Sequence, residues 1–418
     1  MRVGVREAVG RQLSAWNALA LFKTRLAVSG LAALTVVCLA VAPLAESTVA
    51  RANTLQMSSD NSVTGWYPNE PALSPSNVSG GDFGQLFDTQ LNGQVYAQPL
   101  VVQPTVLAVT ENDYAYGLNS TTGAIQWQDN FGPAADPLSA IGCGDVGSQL
   151  GITSTPVIDP LTNVAYFVAA NANAQSGATE WFMHAVNVLT GTTAPGWTTT
   201  GVPIEGHSDG DPNTVFNGNY ETNRPGLVLV NGVVYATFGS QCDFGNWEGW
   251  IVGVSEDTTQ SPPQITTMWS TEEDVSVTGV EQPGAGIWQS GSAPVVDSNG
   301  DIFVATGNGD IPSGPELGTP TSNTTYGEAV IELHTPANDP TGQLQVVDWF
   351  IPYNAAQLNV QDGDLGSGGP VALPASMGSN QERNVMLEVG KQGLLYVLDA
   401  SNLGGYQQGI NGTDDVPA

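Results

Sequence analysis

Four short segments of this chain bring oxygen-bearing or charged side chains together where few others are charged. They are Ser240-Gln241-Cys242-Asp243, Thr306-Gly307-Asn308-Gly309-Asp310, Asp362-Gly363-Asp364 and the run that begins at Lys391. A carboxylate, an amide and a second carboxylate are hard oxygen donors of the kind Ca²⁺ takes. Lys391 is one of only three Lys or Arg residues beyond Arg51, with Arg224 and Arg383, so it is a scarce counter-charge for any anionic ligand. Plainer uses exist for each. Asn308 between glycines suits a turn, Asp362 and Asp364 suit loop caps, and Lys391 suits a simple ion pair. Asp297-Ser298-Asn299-Gly300-Asp301 has the look of a calcium loop, but it lies between two strand-like runs and reads as a hairpin turn.

The elements that must carry these residues are strands. Fifty Gly and 27 Pro in 418 residues are far more punctuation than a helical protein carries. With 41% hydrophobic residues, the chain has enough apolar surface for a sizeable core and is not of the disordered class. Nine Lys and Arg face 40 Asp and Glu, and six of the nine lie in the first 52 residues. The remainder is acidic because it lacks bases, which excludes nucleic acid and anionic membrane surfaces as partners.

Residues 1–52 read as an export signal. Met1–Arg25 is basic, Leu26–Ala45 is apolar, and Ala50-Arg51-Ala52 offers a small-x-small cleavage pattern. The mature protein is then secreted, periplasmic or extracellular, and free of the membrane after cleavage. Export leaves Cys143 and Cys242, for which a disulfide is the default in an oxidising compartment.

After a polar lead-in over 53–81, an inner-strand phrase recurs through 82–418: AQPLVV at Ala97, STPVID at Ser154, RPGLVLV at Arg224, SAPVVD at Ser292 and GGPVAL at Gly368. Its prolines fall 57 to 76 residues apart. Each phrase leads into two or three further strands without helical periodicity between them. Four-stranded antiparallel units repeating in this way predict an all-β fold, a β-propeller. The fifth unit lacks a fourth strand of its own. Either Gly84–Leu91 supplies it and closes a five-bladed ring, or the five repeats are a piece of an eight-bladed one; the second is the expectation adopted.

Gly117-Leu118-Asn119-Ser120-Thr121-Thr122-Gly123-Ala124-Ile125-Gln126-Trp127 resembles the A-x-D-x-x-T-G-x-x-x-W signature of quinoprotein (PQQ-repeat) propellers, with Gly117 for Ala and Asn119 for Asp. Asn187–Gly191 keeps N-x-x-T-G, and Leu398-Asp399 keeps only its start. In such repeats the Thr-Gly makes a turn and the Trp packs between blades. The resemblance implies that the four segments meet on one loop face. Asp243 and Asn308 would then ligate calcium, Asp364 (or Asp362) would serve as base, Lys391 would touch the PQQ cofactor, and Trp288 would stack on its ring. The activity implied is PQQ- and calcium-dependent oxidation of alcohols or sugars.

The charge weighs the other way, since PQQ is a tricarboxylate and this chain has few bases to meet it. The adjacent-cysteine disulfide of many quinoprotein alcohol dehydrogenases is also missing, and the absence of C-x-x-C-H excludes a heme-linked form. The alternative function is a non-catalytic binding or scaffold propeller that holds a small molecule, a glycan or a protein on the same loop face. The run GSQCDFGNWEGW over 239–250 suits such contacts. Cys143 and Cys242 belong to loops on that face, which favours their pairing.

Overall fold

The computed structural model describes residues 2–3, 6–8, 53–68, 73–81, 83–259, 261–272, 284–310, 325–335 and 343–406. The apolar run and cleavage pattern of the expected signal fall on residues outside that set. Arg2–Val3 pairs with Thr89–Gln90, and Arg6–Ala8 pairs with Phe83–Gln85. Two compact units divide the chain. One is Met1–Val5, Asn53–Pro68 and Leu86–Ala418, and the other is Arg6–Ala52 with Asn69–Gln85. In the smaller unit a helical turn, Pro75–Ser79, is capped by the Ser74 hydroxyl, which accepts from the Asn77 N–H at 3.2 Å. Among the described residues no helix is long and apolar enough to cross a membrane.

The larger unit is a succession of antiparallel sheets, each begun by one of the five phrases. The first runs Leu100–Val102, Thr105–Val109, Tyr114–Asn119, Ile125–Asn130, and the second Val157–Asp159, Val164–Ala172, Thr179–Asn187, Val202–Ile204. The third orders Val228–Val230, Val233–Ser240, Trp250–Ser255 and Ile265–Ser270. The fourth orders Val295–Val296, Ile302–Ala305, Val330–His334 and Gln345–Ile351, and the fifth Val371–Ala372, Val385–Val389 and Leu395–Asp399. Gly84–Leu91 does not complete the fifth sheet, because its strands pair with the N-terminal residues named above. Gly405–Tyr406 instead adds in parallel to the fourth sheet, beside Phe350 and Ile351.

The core lies between sheets, which explains the weak alternation within strands. Within Val164–Ala172 every residue but the last is buried, against the first sheet through Phe167 and against the third through Val168 and Ala170. Trp181, Phe238, Phe216 and Trp250 meet edge to face between the second and third sheets at centroid distances of 5.1 to 5.6 Å. The expected repeat chemistry is visible in the first sheet. Asn119 Oδ1 accepts from the N–H groups of Thr121 and Thr122, Gly123 takes φ +71°, and Trp127 Nε1 donates to Val188 O of the second sheet at 2.8 Å. Gly117 replaces Ala because a Cβ there would stand 2.0 Å from the Trp127 ring.

The polar lead-in has a structural task. Its backbone hydrogen-bonds to Val101 of the first inner strand, to Ile158 of the second, to Val296 of the fourth and to Ala372 of the fifth, through Thr54, Leu55, Asn61 and Ser62. Met57 packs on Gly226 just before the third. This one segment thereby hydrogen-bonds to the inner strands of four of the five sheets, packs beside the third, and satisfies N–H groups that would otherwise be left on unpaired edges. The stretch 297–301 is a hairpin turn, with Asp297 Oδ1 accepting from the Asn299 and Asp301 N–H groups.

Candidate functional site

A pocket of about 260 Å³ opens among the loops that leave second strands or lead into inner strands, and it is lined by Asp243, Trp288, Asp362, Asp364, Lys391 and Arg224, with Thr222, Ser240 and Cys242 beside them. Asp364 is buried and fixed on both oxygens: Oδ1 accepts the Asn308 N–H at 3.0 Å, and Oδ2 lies 2.5 Å from Lys391 Nζ. Lys391 also meets Asp362 Oδ2 at 3.0 Å. Burial pulls the ammonium down, but hydrogen bonds to Asp364 and Asp362 outweigh it and leave the pKa above the ordinary lysine value.

Asp243 sits at a tight turn in which both Cys242 and Asp243 take positive φ, 57° and 52°. The turn is tied down by the Cys143–Cys242 disulfide, with Cα atoms 5.7 Å apart, and by the Ser240 hydroxyl, which donates to Asp243 Oδ1. Burial raises the Asp243 pKa; the Ser240 hydrogen bond opposes it, and the Asp364 and Asp362 charges add to it. Trp288 forms one wall in a slot made by glycines. A Cβ on Gly307 would lie 2.2 Å from its ring and one on Gly239 2.7 Å, while Trp247 packs at a centroid distance of 5.5 Å. Gly307 of the T-G-N phrase therefore serves the tryptophan as much as the turn.

Of the residues singled out in the sequence, Asp243, Trp288, Asp362, Asp364, Lys391 and Cys242 share this pocket, and Cys143 is joined to it by the disulfide. Asn308 reaches it from behind through its N–H on Asp364, and its side-chain oxygen is buried without a hydrogen-bond partner. Two participants escaped the sequence reading. Arg224 lines the pocket; its signal was only the rarity of bases. Glu328 gives Oε2 to the Leu365 N–H at 2.6 Å and leaves Oε1 buried and unpartnered, and burial pushes its pKa up to about 8. Nothing around it in the sequence marked it.

The lining offers a planar ligand a tryptophan wall, two cationic side chains and hydroxyls, but it also carries four carboxylates, Asp145, Asp243, Asp362 and Asp364, two of which already pair with Lys391. For a cation the pocket offers Asp243, while the orphaned oxygens of Asn308 and Glu328 are buried behind it and are not part of its lining. Among the described residues, three Asp, Glu, His or Cys ligand atoms approach one another closely only at Cys143, Asp145 and Cys242, where both sulfurs are spent in the disulfide.

These sheets and their inter-sheet tryptophan define a β-propeller with a quinoprotein-like fold. Similar solved structures include the quinohemoprotein alcohol dehydrogenases ADHIIG of Pseudomonas putida HK5 (TM-score 0.55, 16% identity, 84% of this chain and 47% of that one) and of Comamonas testosteroni (0.55, 17%, 85% and 48%). A europium-containing methanol dehydrogenase matches at TM-score 0.52 with 12% identity over 84% of this chain and 57% of that one. The chain thus spans about half the length of the structures it matches. No protein-family model matches the sequence, and no curated protein is significantly similar to it.

Proposed function

We propose that the protein is an exported, PQQ- and calcium-dependent oxidoreductase acting on alcohols or sugars, with its chemistry in the pocket around Lys391. The observation that carries this reading is the convergence of charge: of the three Lys and Arg residues beyond Arg51, Arg224 and Lys391 both line this one pocket. In a chain so poor in bases, that placement favours a carboxylate-bearing ligand, with a bound cation needed to offset the Asp145, Asp243, Asp362 and Asp364 carboxylates of the same lining.

The bound quinone would supply the two-electron acceptor, with calcium polarising its carbonyl. The side chains of the protein do the rest. Lys391 and Arg224 hold the anionic edge, and Trp288 presents an aromatic wall that aligns the ring plane. Asp243 would ligate the cation, with Asn308, whose side-chain oxygen is buried and unpartnered, as the second ligand. Asp364 takes the hydroxyl proton of the substrate on a carboxylate oxygen. Its orientation is fixed in advance by the Asn308 N–H and Lys391, so little reorganisation is needed when the proton arrives. The disulfide keeps the Asp243 turn in place.

The test is reconstitution of the full chain with PQQ and Ca²⁺, followed by dye-linked oxidation of a panel of alcohols and aldoses. Activity is expected in the wild type, and Asp364→Ala should abolish it while PQQ still quenches tryptophan fluorescence. Asp243→Ala should raise the Ca²⁺ concentration needed for half-activity. Absence of both quenching and activity in the wild type would refute the proposal.

A further inference from the structure

A second cavity, of about 540 Å³ against 260 Å³ for the first, lies in the larger unit between its second and third sheets. Its walls come from the turn after Val164–Ala172, from residues 211–219 that join the two sheets, and from the turn between Val233–Ser240 and Trp250–Ser255. No Lys, Arg or His lines it. An anion would therefore meet no cationic side chain, and the first cavity's chemistry is not repeated here.

Two side chains that line it are almost wholly buried, and each has a polar atom without a well-formed hydrogen bond. Glu221 is 1% exposed; its Oε1 accepts the Glu248 N–H at 3.1 Å, but Oε2 has no hydrogen-bond partner. Trp250 is also 1% exposed, and its Nε1–H is directed at the Glu221 carboxyl, whose charged form it favours, without reaching full hydrogen-bond geometry. Buried polar atoms left without partners are rare and costly, and a ligand is one way of meeting them. Burial drives the Glu221 carboxyl well above its ordinary pKa, towards the form that donates as well as accepts.

The surrounding amides are held in fixed orientation. Asn217 Oδ1 accepts the Asn219 N–H at 3.2 Å, and Asn219 Oδ1 accepts the Thr179 N–H at 2.8 Å. The donors and acceptors are thus mixed: an indole N–H, amide NH₂ groups and carboxyl oxygens. A metal ion takes acceptors only, whereas each hydroxyl of a sugar both donates and accepts. Val215, 62% exposed at the rim, adds the apolar contact that the C–H face of a sugar ring needs.

We infer that this cavity binds a neutral, hydroxyl-rich saccharide, separately from the pocket at Lys391. The inference stands whether or not that pocket is a redox site. It can be tested by affinity electrophoresis of the full chain in gels containing soluble starch, hydroxyethyl cellulose, glucomannan or laminarin, with calorimetric titration of the matching oligosaccharide. Retardation is expected in at least one gel, with affinity at least ten-fold weaker for Glu221→Gln and Trp250→Phe. Val215→Arg changes only an exposed position, so it should weaken binding as much without altering the thermal melt, even if the buried variants fold poorly. Asp364→Ala should leave retardation unchanged. The inference fails if no gel retards the wild type, or if Val215→Arg binds normally. It fails equally if Asp364→Ala, with an unaltered melt, abolishes retardation, or if spermidine or Ca²⁺ binds in a Glu221-dependent way while no saccharide does.

Discussion

Lys391 binds Asp364 and Asp362 together, so one ammonium neutralises a buried carboxylate and an exposed one on the same loop. Removing it leaves the Asp364 carboxylate buried without the cation it touches, a costly arrangement. Lys391→Ala is therefore expected to lose PQQ binding, read as tryptophan quenching. Unchanged quenching would remove Lys391 from the ligand set. Gly307 gives a second residue-scale test. Its Cβ would stand 2.2 Å from the Trp288 ring and 2.6 Å from Asp364 Oδ1, so Gly307→Ala should displace both groups and abolish ligand binding at modest cost to the melt. Normal binding in that variant would show that the tryptophan wall is dispensable.

Within each element the turn and the tryptophan act together. Asn119 and Gly123 close the hairpin, and this sends Ile125–Asn130 back along the sheet with Trp127 aimed at the next one. The indole lies against Gly117 and Gly191, and Gly191 itself closes the corresponding Asn187–Gly191 turn of the second sheet at φ +73°. One residue thus joins two repeats by packing and by a hydrogen bond to Val188 O. Trp127→Ala should cost about 3 kcal/mol, whereas Trp127→Phe, which keeps most of the packing and loses the N–H, should cost about 1 kcal/mol. Urea unfolding of the two variants separates these contributions, and equal losses would mean that only the hydrogen bond matters.

Over the whole molecule, buried carboxyls link one sheet to the next. Glu111 Oε2 accepts from the Gly151 N–H and the Thr153 hydroxyl of the following repeat, Glu272 Oε1 from the Asp310 N–H, and Glu328 Oε2 from the Leu365 N–H. Burial raises Glu111 to about 7, Glu328 to about 8 and Glu388 to about 8, and it drives Glu272 well above 4.5. The folded chain therefore keeps protons that the unfolded chain has lost. The stability they contribute is full below about pH 4.5 and disappears as the pH rises through about 7 to 8. The melting temperature is expected to be higher at pH 5 than at pH 8.5, with a smaller difference in Glu111→Gln; a flat or opposite profile would contradict this. The segment at 54–62 belongs to the same scale, because it bonds to the inner edges of sheets far apart in sequence. Deleting residues 53–62 should lower the melting temperature by more than about 10 °C, on the order of the loss of several buried hydrogen bonds.

The strand phrases, their punctuation and the turn-and-tryptophan signature were legible in the sequence, because turn chemistry and strand composition are local properties. They were enough for an all-β, repeating architecture and for the five inner strands. The order of the loop residues, with the family resemblance, was enough to draw attention to Asp243, Asn308, Asp364 and Lys391. Tertiary structure alone decided the rest. Arg224 and Glu328 gained meaning only when distant repeats met, since a single base or acid carries no signal until its neighbours are known. The role of the polar lead-in was not legible because it is carried by backbone hydrogen bonds, which side-chain identity does not reveal. The burial of Glu221 and Trp250, and the cavity they line, depend on how two sheets pack, and no spacing along one chain encodes that distance.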